Sequence, residues 1–123
     1  MIIEKVAVIG AGVMGASIAA HISNAGILVT LLDIVPENAT NRSIIAEAAI
    51  QKLLKAEPAP FMHKNNARLI TPGNIEDHLH WLADADWVIE AVIEHPQIKK
   101  SLYQKLESVC RQDCLISSNT STL

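Results

Sequence analysis

Six consecutive residues near the start of the chain, Gly10-Ala11-Gly12-Val13-Met14-Gly15, have the types and spacing that hold a pyrophosphate. They follow directly on the apolar run Val6-Ala7-Val8-Ile9. The pattern reads as a strand, a glycine turn and the first turn of a helix, the arrangement a nicotinamide or flavin dinucleotide requires. Gly10 permits the tight turn out of the strand. Gly12, with no side chain, lets the pyrophosphate reach the backbone. Gly15 lets the helix pack close to the strand. The helix then presents its opening N–H groups and the positive end of its dipole to the phosphates.

A second residue narrows the ligand. The next apolar run, Leu28-Val-Thr-Leu-Leu-Asp33, ends on an acid about 20 residues beyond the first glycine, where a carboxylate binds the adenosine ribose hydroxyls. NADP would place a phosphate beside Asp33. Two like unit charges about 4 Å apart repel by roughly 4 kcal/mol at an effective dielectric of about 20. No Arg follows to hold such a phosphate, since the next residues are Ile34-Val35-Pro36. NAD is therefore expected over NADP. FAD stays open on the glycine loop alone, but nothing downstream supports a flavin.

The elements that must position these groups alternate. Strands are expected at Lys5–Ile9, Leu28–Asp33, Arg68–Thr71 (ended by Pro72-Gly73), Trp87–Glu90 and Cys114–Ser117. Helices are expected at Met14–Ala25 (Met14, Ile18 and Ile22 inward, Gly26 as the stop), Pro36 to about Leu54 (Ile45, Ala49 and Leu53 inward) and Pro96–Val109 (Ile98, Leu102, Leu106 and Val109 inward). Pro58 and Pro60 end the second helix, Phe61-Met62 anchor the loop after it, and Leu79–Ala83 forms a helical turn. Such alternation implies an α/β fold, a Rossmann-type doubly wound, mostly parallel sheet with helices on both faces.

The 123 residues, half of them hydrophobic and 19% charged, suit one globular domain spanning 1–123. A net charge of −3 gives no reason to expect nucleic acid or an anionic membrane. No apolar run is long enough to cross a bilayer, and Met1-Ile-Ile-Glu-Lys5 lacks the features of a signal or transit peptide. A cytoplasmic location is expected. Cys110 and Cys114 lack the two further ligands a zinc site needs and read as reduced thiols; no metal is expected. The chain stops six residues after its last expected strand, so it reads as a doubly wound domain truncated before its last strand.

Three segments together resemble the NAD-binding N-terminal domain of the 3-hydroxyacyl-CoA dehydrogenases. They are Lys5 to Gly15 with Asp33; Asp86-Trp-Val-Ile-Glu-Ala-Val-Ile-Glu94 followed by Pro96 and Lys99; and Ser118-Asn-Thr-Ser-Thr122. The resemblance runs over essentially the whole chain, and the second and third segments are absent from generic dinucleotide folds. The stretch from Pro58 to Ile75 resembles a bacterial subgroup in which an enoyl-CoA hydratase region follows on the same polypeptide. The resemblance implies that Gly10, Gly12, Val13, Met14 and Gly15 line the pyrophosphate site and that Asp33 holds the ribose. It implies further that Val92, Ile93 and Glu94 line the nicotinamide side, and that Lys99 contacts the cofactor. Ser121 would sit between nicotinamide and the substrate's 3-oxygen, with Asn119 beside it. An acyl-CoA substrate, a place in fatty-acid β-oxidation and a homo-oligomeric full-length enzyme are implied as well.

Glu94, Lys99 and Ser121 all fall at or just beyond the C-terminal ends of expected strands, where an open parallel sheet forms its ligand crevice. An exposed Glu94–Lys99 ion pair and a turn-capping Ser121 are the plainer alternatives. His95 stands where many relatives have Asn. Lys52 and Lys55 are candidates for contacting CoA, or a solvated helix face; Ala48-Ala49 offer no hydroxyl there. In the family, a histidine paired with a glutamate removes the hydroxyl proton as hydride passes to nicotinamide. That histidine lies beyond Ser-Asn-Thr-Ser, before Asn-Pro. None of the five histidines, His21, His63, His78, His80 and His95, has that context. The catalytic pair is thus expected beyond Leu123, and the chain is expected to bind NAD without turnover. A related hydroxy-acid dehydrogenase and a non-catalytic NAD-sensing module are the competing readings.

Overall fold

The computed structural model describes residues 2–56, 60–91 and 96–118, with the backbone alone at 96–98. Five strands, β1 (Lys5–Ile9), β2 (Leu28–Asp33), β3 (Ile70–Asn74), β4 (Trp87–Glu90) and β5 (Leu115–Ser118), form one sheet in the order β3-β2-β1-β4-β5. Every pairing is parallel. The strands alternate in sequence with α1 (Val13–Ser23), α2 (Ile44–Lys55), the single turn α3 (Ile75–His78) and α4 (Pro96–Val109). The chain runs outward from β1 to β3, then returns to β4 on the other side of β1. The switch in strand order therefore lies between β1 and β4, where doubly wound sheets open a ligand crevice at their C-terminal ends.

Side chains of a strand alternate between faces, and both faces of β1 are buried. Val6 and Val8 join Val29, Leu31 and Ile89 beneath α1 and α2, against Ala19, Ala20, Ala46, Ile50 and Leu53. Ala7 and Ile9 join Leu32 and Val88 on the other face, beneath Leu102 and Leu106 of α4 and Leu79 and Leu82 of the 3₁₀ segment Leu79–Asp84. Burial on both faces explains the near-continuous apolar strands.

Four expectations need correction. The buried face of α1 is Gly15, Ala16, Ala19, Ala20 and Ser23; Met14 is half exposed, and Ile18 and Ile22 only pack at its margin. The helix lies too close to the sheet for large side chains: a Cβ on Gly15 would stand 1.7 Å from the Gly10 carbonyl oxygen.

The second helix starts at Ile44, not Pro36. Between them the backbone turns, with Asn38 at φ 60° and the Asn41 side chain accepting from the Ser43 N–H at 3.0 Å. Asn side chains commonly offer the backbone this alternative to helix.

β3 contains Pro72 and Gly73 rather than ending before them, and Arg68 belongs to a 3₁₀ segment, Lys64–Leu69. As an edge strand β3 tolerates the proline. Gly73 is needed because a Cβ there would press on Trp81, Leu32 and His78. Finally, Phe61 is buried but Met62 is exposed, so only the first anchors its loop. The α4 positions Leu102 and Leu106 are buried as expected, whereas the Ile98 side chain lies outside the described residues, as does Pro58. β5 is displaced by one residue from its expected span, and a short helical turn does precede β4.

Cys110 and Cys114 are free thiols. Burial, then the neighbouring Cys114, pushes Cys110 up to about 11, and burial raises Cys114 too. Neither is primed as a nucleophile.

Candidate functional site

The glycine turn is pinned from both sides of the switch point. On the β2 side, the Gly10 N–H donates to the Leu32 carbonyl at 2.7 Å, and the Ala11 N–H donates to Asp33 Oδ2 at 2.6 Å. On the β4 side, the Ala91 N–H donates to the Ile9 carbonyl at 2.8 Å. Gly10 takes φ 108°, closed to most L side chains. Gly15 then sits against the Gly10 carbonyl, with the Ala91 methyl also close. The turn is thus built into the sheet end.

Gly12 behaves differently. It is the N-cap of α1 in extended backbone, φ −70° and ψ −172°, with no side-chain cap. A Cβ there would meet nothing within 4 Å. No acid lies in the first turn of α1, so its positive dipole end meets no adjacent carboxylate from its own helix. Open space over a helix N-terminus fits a pyrophosphate. Val13 projects into solvent, 88% exposed, next to half-exposed Met14. A groove of about 540 Å³ leads from Gly12, Val13 and Ser17 to Lys52 and Leu53 of α2.

Asp33 ends β2 partly exposed. Its Oδ1 accepts from the Ile34 N–H at 2.6 Å, while Oδ2 holds Ala11. An ionised carboxylate has about four acceptor positions, so two backbone bonds leave capacity for ribose hydroxyls. Gly10, Gly12, Gly15 and Asp33 therefore come together at one end of the sheet, as the motif requires.

Beyond β1, at the ends of β4 and β5, sequence reasoning missed one residue. Glu90, the last residue of β4, is fully buried. Its Oε1 accepts from Ser118 Oγ at 3.0 Å and lies 3.5 Å from Lys99 Nζ. The Lys99 side chain is 16% exposed. Lys99 thus reaches the crevice region and pairs with Glu90; Glu94, its partner in the plainer alternative, lies outside the described residues. The available signal was an acid closing an otherwise apolar strand. Val92, Ile93, His95, Asn119 and Ser121 also lie outside the described residues.

Lys52 and Lys55 are exposed on α2 and line a second groove with Ile44, Glu47, Gln51 and Pro72; only Lys52 also lines the groove at Gly12. Another cavity, of about 540 Å³, opens at the opposite end of the sheet beside Lys5, Leu28, Thr71 and Trp81. It is remote from the glycine turn. Among the histidines, His63 accepts from the Asn65 N–H as a 3₁₀ cap. His78 accepts from the Asn74 N–H and stacks on Trp81. His21 and His80 are exposed. Among the described residues no group of three or more His, Cys, Asp or Glu could hold a metal ion, and no helix is long and apolar enough to cross a membrane.

A family model described as "3-hydroxyacyl-CoA dehydrogenase, NAD binding domain" matches residues 5–123. The chain is 53% identical over 121 residues to the "Probable 3-hydroxyacyl-CoA dehydrogenase" of Deinococcus radiodurans, covering 98% of this chain and 35% of that protein. It is 33% identical over 124 residues to the "Fatty acid oxidation complex subunit alpha" of Psychrobacter cryohalolentis, covering 98% of this chain and 17% of that protein. The crystal structure of 3-hydroxybutyryl-CoA dehydrogenase from Escherichia coli superposes with a TM-score of 0.79 at 28% identity, covering all of this chain and 26% of that one. The chain thus spans about a third or less of these relatives.

Proposed function

Because the chain belongs to the family of NAD-binding domains of 3-hydroxyacyl-CoA dehydrogenases, we propose that it is the cofactor-holding part of an enzyme that oxidises (S)-3-hydroxyacyl-CoA to 3-oxoacyl-CoA in fatty-acid β-oxidation. The observation that carries this reading is the pinned glycine turn, with open space at Gly12 and a carboxylate at Asp33, beside the Glu90–Lys99 cluster. These residues fit NAD. When bound, its nicotinamide accepts the hydride.

The chain's own groups bind and orient. The α1 N-terminus, with Gly10, Gly12, Val13, Met14 and Gly15, receives the pyrophosphate. Asp33 accepts from the ribose hydroxyls and repels a 2′-phosphate. Lys99 contributes to the nicotinamide side with Val92, Ile93 and Glu94. Ser121, with Asn119, is assigned to contact the substrate oxygen. Lys52, beside the groove at Gly12, is the better placed candidate for the CoA moiety. Removing the hydroxyl proton falls to a histidine–glutamate pair outside residues 1–123. A helical substrate and dimerisation domain, a homo-oligomeric assembly and a cytoplasmic setting complete the proposal.

Calorimetric titration of the chain with NAD and with NADP tests this reading. NAD should bind at least about a hundredfold more tightly, given like-charge repulsion at Asp33; equal affinity would sink it. With 3-hydroxyacyl-CoA and NAD, the chain alone should produce no NADH above background.

A further inference from the structure

A dinucleotide lying across the switch point places its two halves on opposite sides of β1. Asp33, on β2, fixes the adenosine half. The nicotinamide half then falls at the ends of β4 and β5, where Glu90, Lys99 and Ser118 meet. Resting on the reading above, we infer that Glu90 is a positioning residue that holds Lys99 and Ser118 and balances the charge at the nicotinamide end of the crevice.

Three observations carry the inference. First, Glu90 is wholly buried, and a buried carboxylate is tolerated only when paired and hydrogen-bonded. Its partners come from two other elements, Lys99 near the start of α4 and Ser118 at the end of β5. One carboxylate therefore ties together the segments that carry the cofactor-side cation and the Ser118–Thr122 stretch. Second, Lys99 lies in the opening turn of α4, the end of a helix that disfavours cations. Glu90 sets a carboxylate beside it from the sheet. Third, Glu90 is paired in register with Ile9, and the next residue, Ala91, supports the glycine turn. The carboxylate is thus fixed relative to the pyrophosphate site.

The consequence concerns redox state. The oxidised nicotinamide ring is cationic and the reduced ring is neutral. A paired Glu90–Lys99 cluster adds little net charge to the balance between NAD and NADH affinity, and removing either partner shifts that balance with opposite sign.

The test is the ratio of NAD to NADH dissociation constants for the wild-type chain, Glu90→Gln, Lys99→Met and the double variant, with circular dichroism to check folding. Glu90→Gln keeps a partner for Ser118 and removes one unit of negative charge beside Lys99. It should shift the preference toward NADH by about fivefold, the effect of one unit charge at close range in a partly solvated crevice. Lys99→Met should shift it toward NAD by a similar factor. The double variant should return close to the wild-type ratio. Glu94 is common to all four proteins and cancels.

A merely structural role would weaken both cofactors by one factor and leave the ratio unmoved; that result overturns the inference while leaving NAD binding intact. If Glu90→Gln does not fold, an unmoved ratio in Lys99→Met is equally decisive. Failure of the wild-type chain to bind either cofactor would defeat the proposed function, and this inference with it.

Discussion

Two glycines of one motif should fail in different ways when given a methyl group. In Gly15→Ala the new Cβ would lie 1.7 Å from the Gly10 carbonyl oxygen and 2.9 Å from its carbon, whereas real Cβ contacts essentially never fall below 3.0 Å. The obstacle is backbone, already fixed by the Gly10 N–H bond to Leu32. Helix α1 must therefore back away from the turn by more than about 1 Å, opening its alanine-lined contact with the sheet. Overpacking of this kind costs about 1–3 kcal/mol, and a rigid obstacle argues for the upper end. That corresponds to a fall in Tm of roughly 10 °C for a domain of this size.

In Gly12→Ala the methyl meets nothing, and φ −70° with ψ −172° suits alanine. The gain from a stiffer unfolded chain, about 0.4–1 kcal/mol, roughly offsets the poorer N-cap. Stability should stay within about 0.5 kcal/mol of wild type. Binding should not: the methyl occupies the space proposed for the pyrophosphate. Losing two charge-assisted hydrogen bonds, about 1.5–3 kcal/mol each, means at least about a hundredfold in Kd. Thermal unfolding and NAD titration of both variants decide the matter. Equal destabilisation by the two substitutions, or wild-type NAD affinity in Gly12→Ala, would refute the assignment of clearance to one glycine and ligand approach to the other.

Asp33→Ala should bring NAD and NADP affinities within about threefold of each other by removing the repelling charge. It should also weaken both, because the Ala11 N–H loses its acceptor; a hundredfold NAD preference surviving in the variant would count against the carboxylate as the discriminator. Leu106, wholly buried beneath the sheet, should cost about 3 kcal/mol as Leu106→Ala in denaturant unfolding, and a loss under about 1 kcal/mol would mean that α4 packs differently. Asp86 accepts from the Glu4 and Lys5 N–H groups and from Arg111. Those bonds, the two backbone ones foremost, hold its carboxyl down to about 2 against an ordinary 3.8. A carboxylate depressed in the folded state stabilises fully above its unfolded value and ceases to do so as pH falls through the folded one. The Tm difference between wild type and Asp86→Asn should therefore shrink between about pH 4 and pH 2, and a constant difference would contradict the linkage.

The sheet was legible because β1, β2 and β4 are buried on both faces, which writes them as continuous apolar runs. The glycine turn was legible because spacing alone encodes it. What stayed hidden depends on contacts made at a distance. The inward face of α1 cannot be read from periodicity, since its large residues are displaced by the backbone contact at Gly15. The start of α2 was misplaced because Pro36 suits a helix, while the Asn41 side chain holds a turn before Ser43. Gly73 looks like a strand terminator until Trp81 and Leu32 are seen to crowd its face. Glu90 looks like the tail of a strand, and only the arrival of Lys99 and Ser118 from other elements makes it part of the candidate site.

The three hydrogen bonds that pin the glycine turn have an energetic consequence for binding. Fixing a loop residue costs about 1–2 kcal/mol each, and a turn ordered only on arrival of the ligand would subtract that from affinity. Here the Leu32 carbonyl and the Asp33 carboxylate on one side, and the Ala91 N–H on the other, hold the turn through the sheet itself. That ordering is completed during folding. On the proposed reading Asp33 serves both processes: one oxygen fixes Ala11 at the entrance of the turn, and its remaining lone pairs can accept from ribose hydroxyls. Its substitution must therefore be read in two parts. A change in the NAD to NADP ratio reports the charge, and a common loss for both cofactors reports the turn. Asp33→Asn separates them further, because the amide oxygen can still accept from Ala11 while the repelling charge is gone.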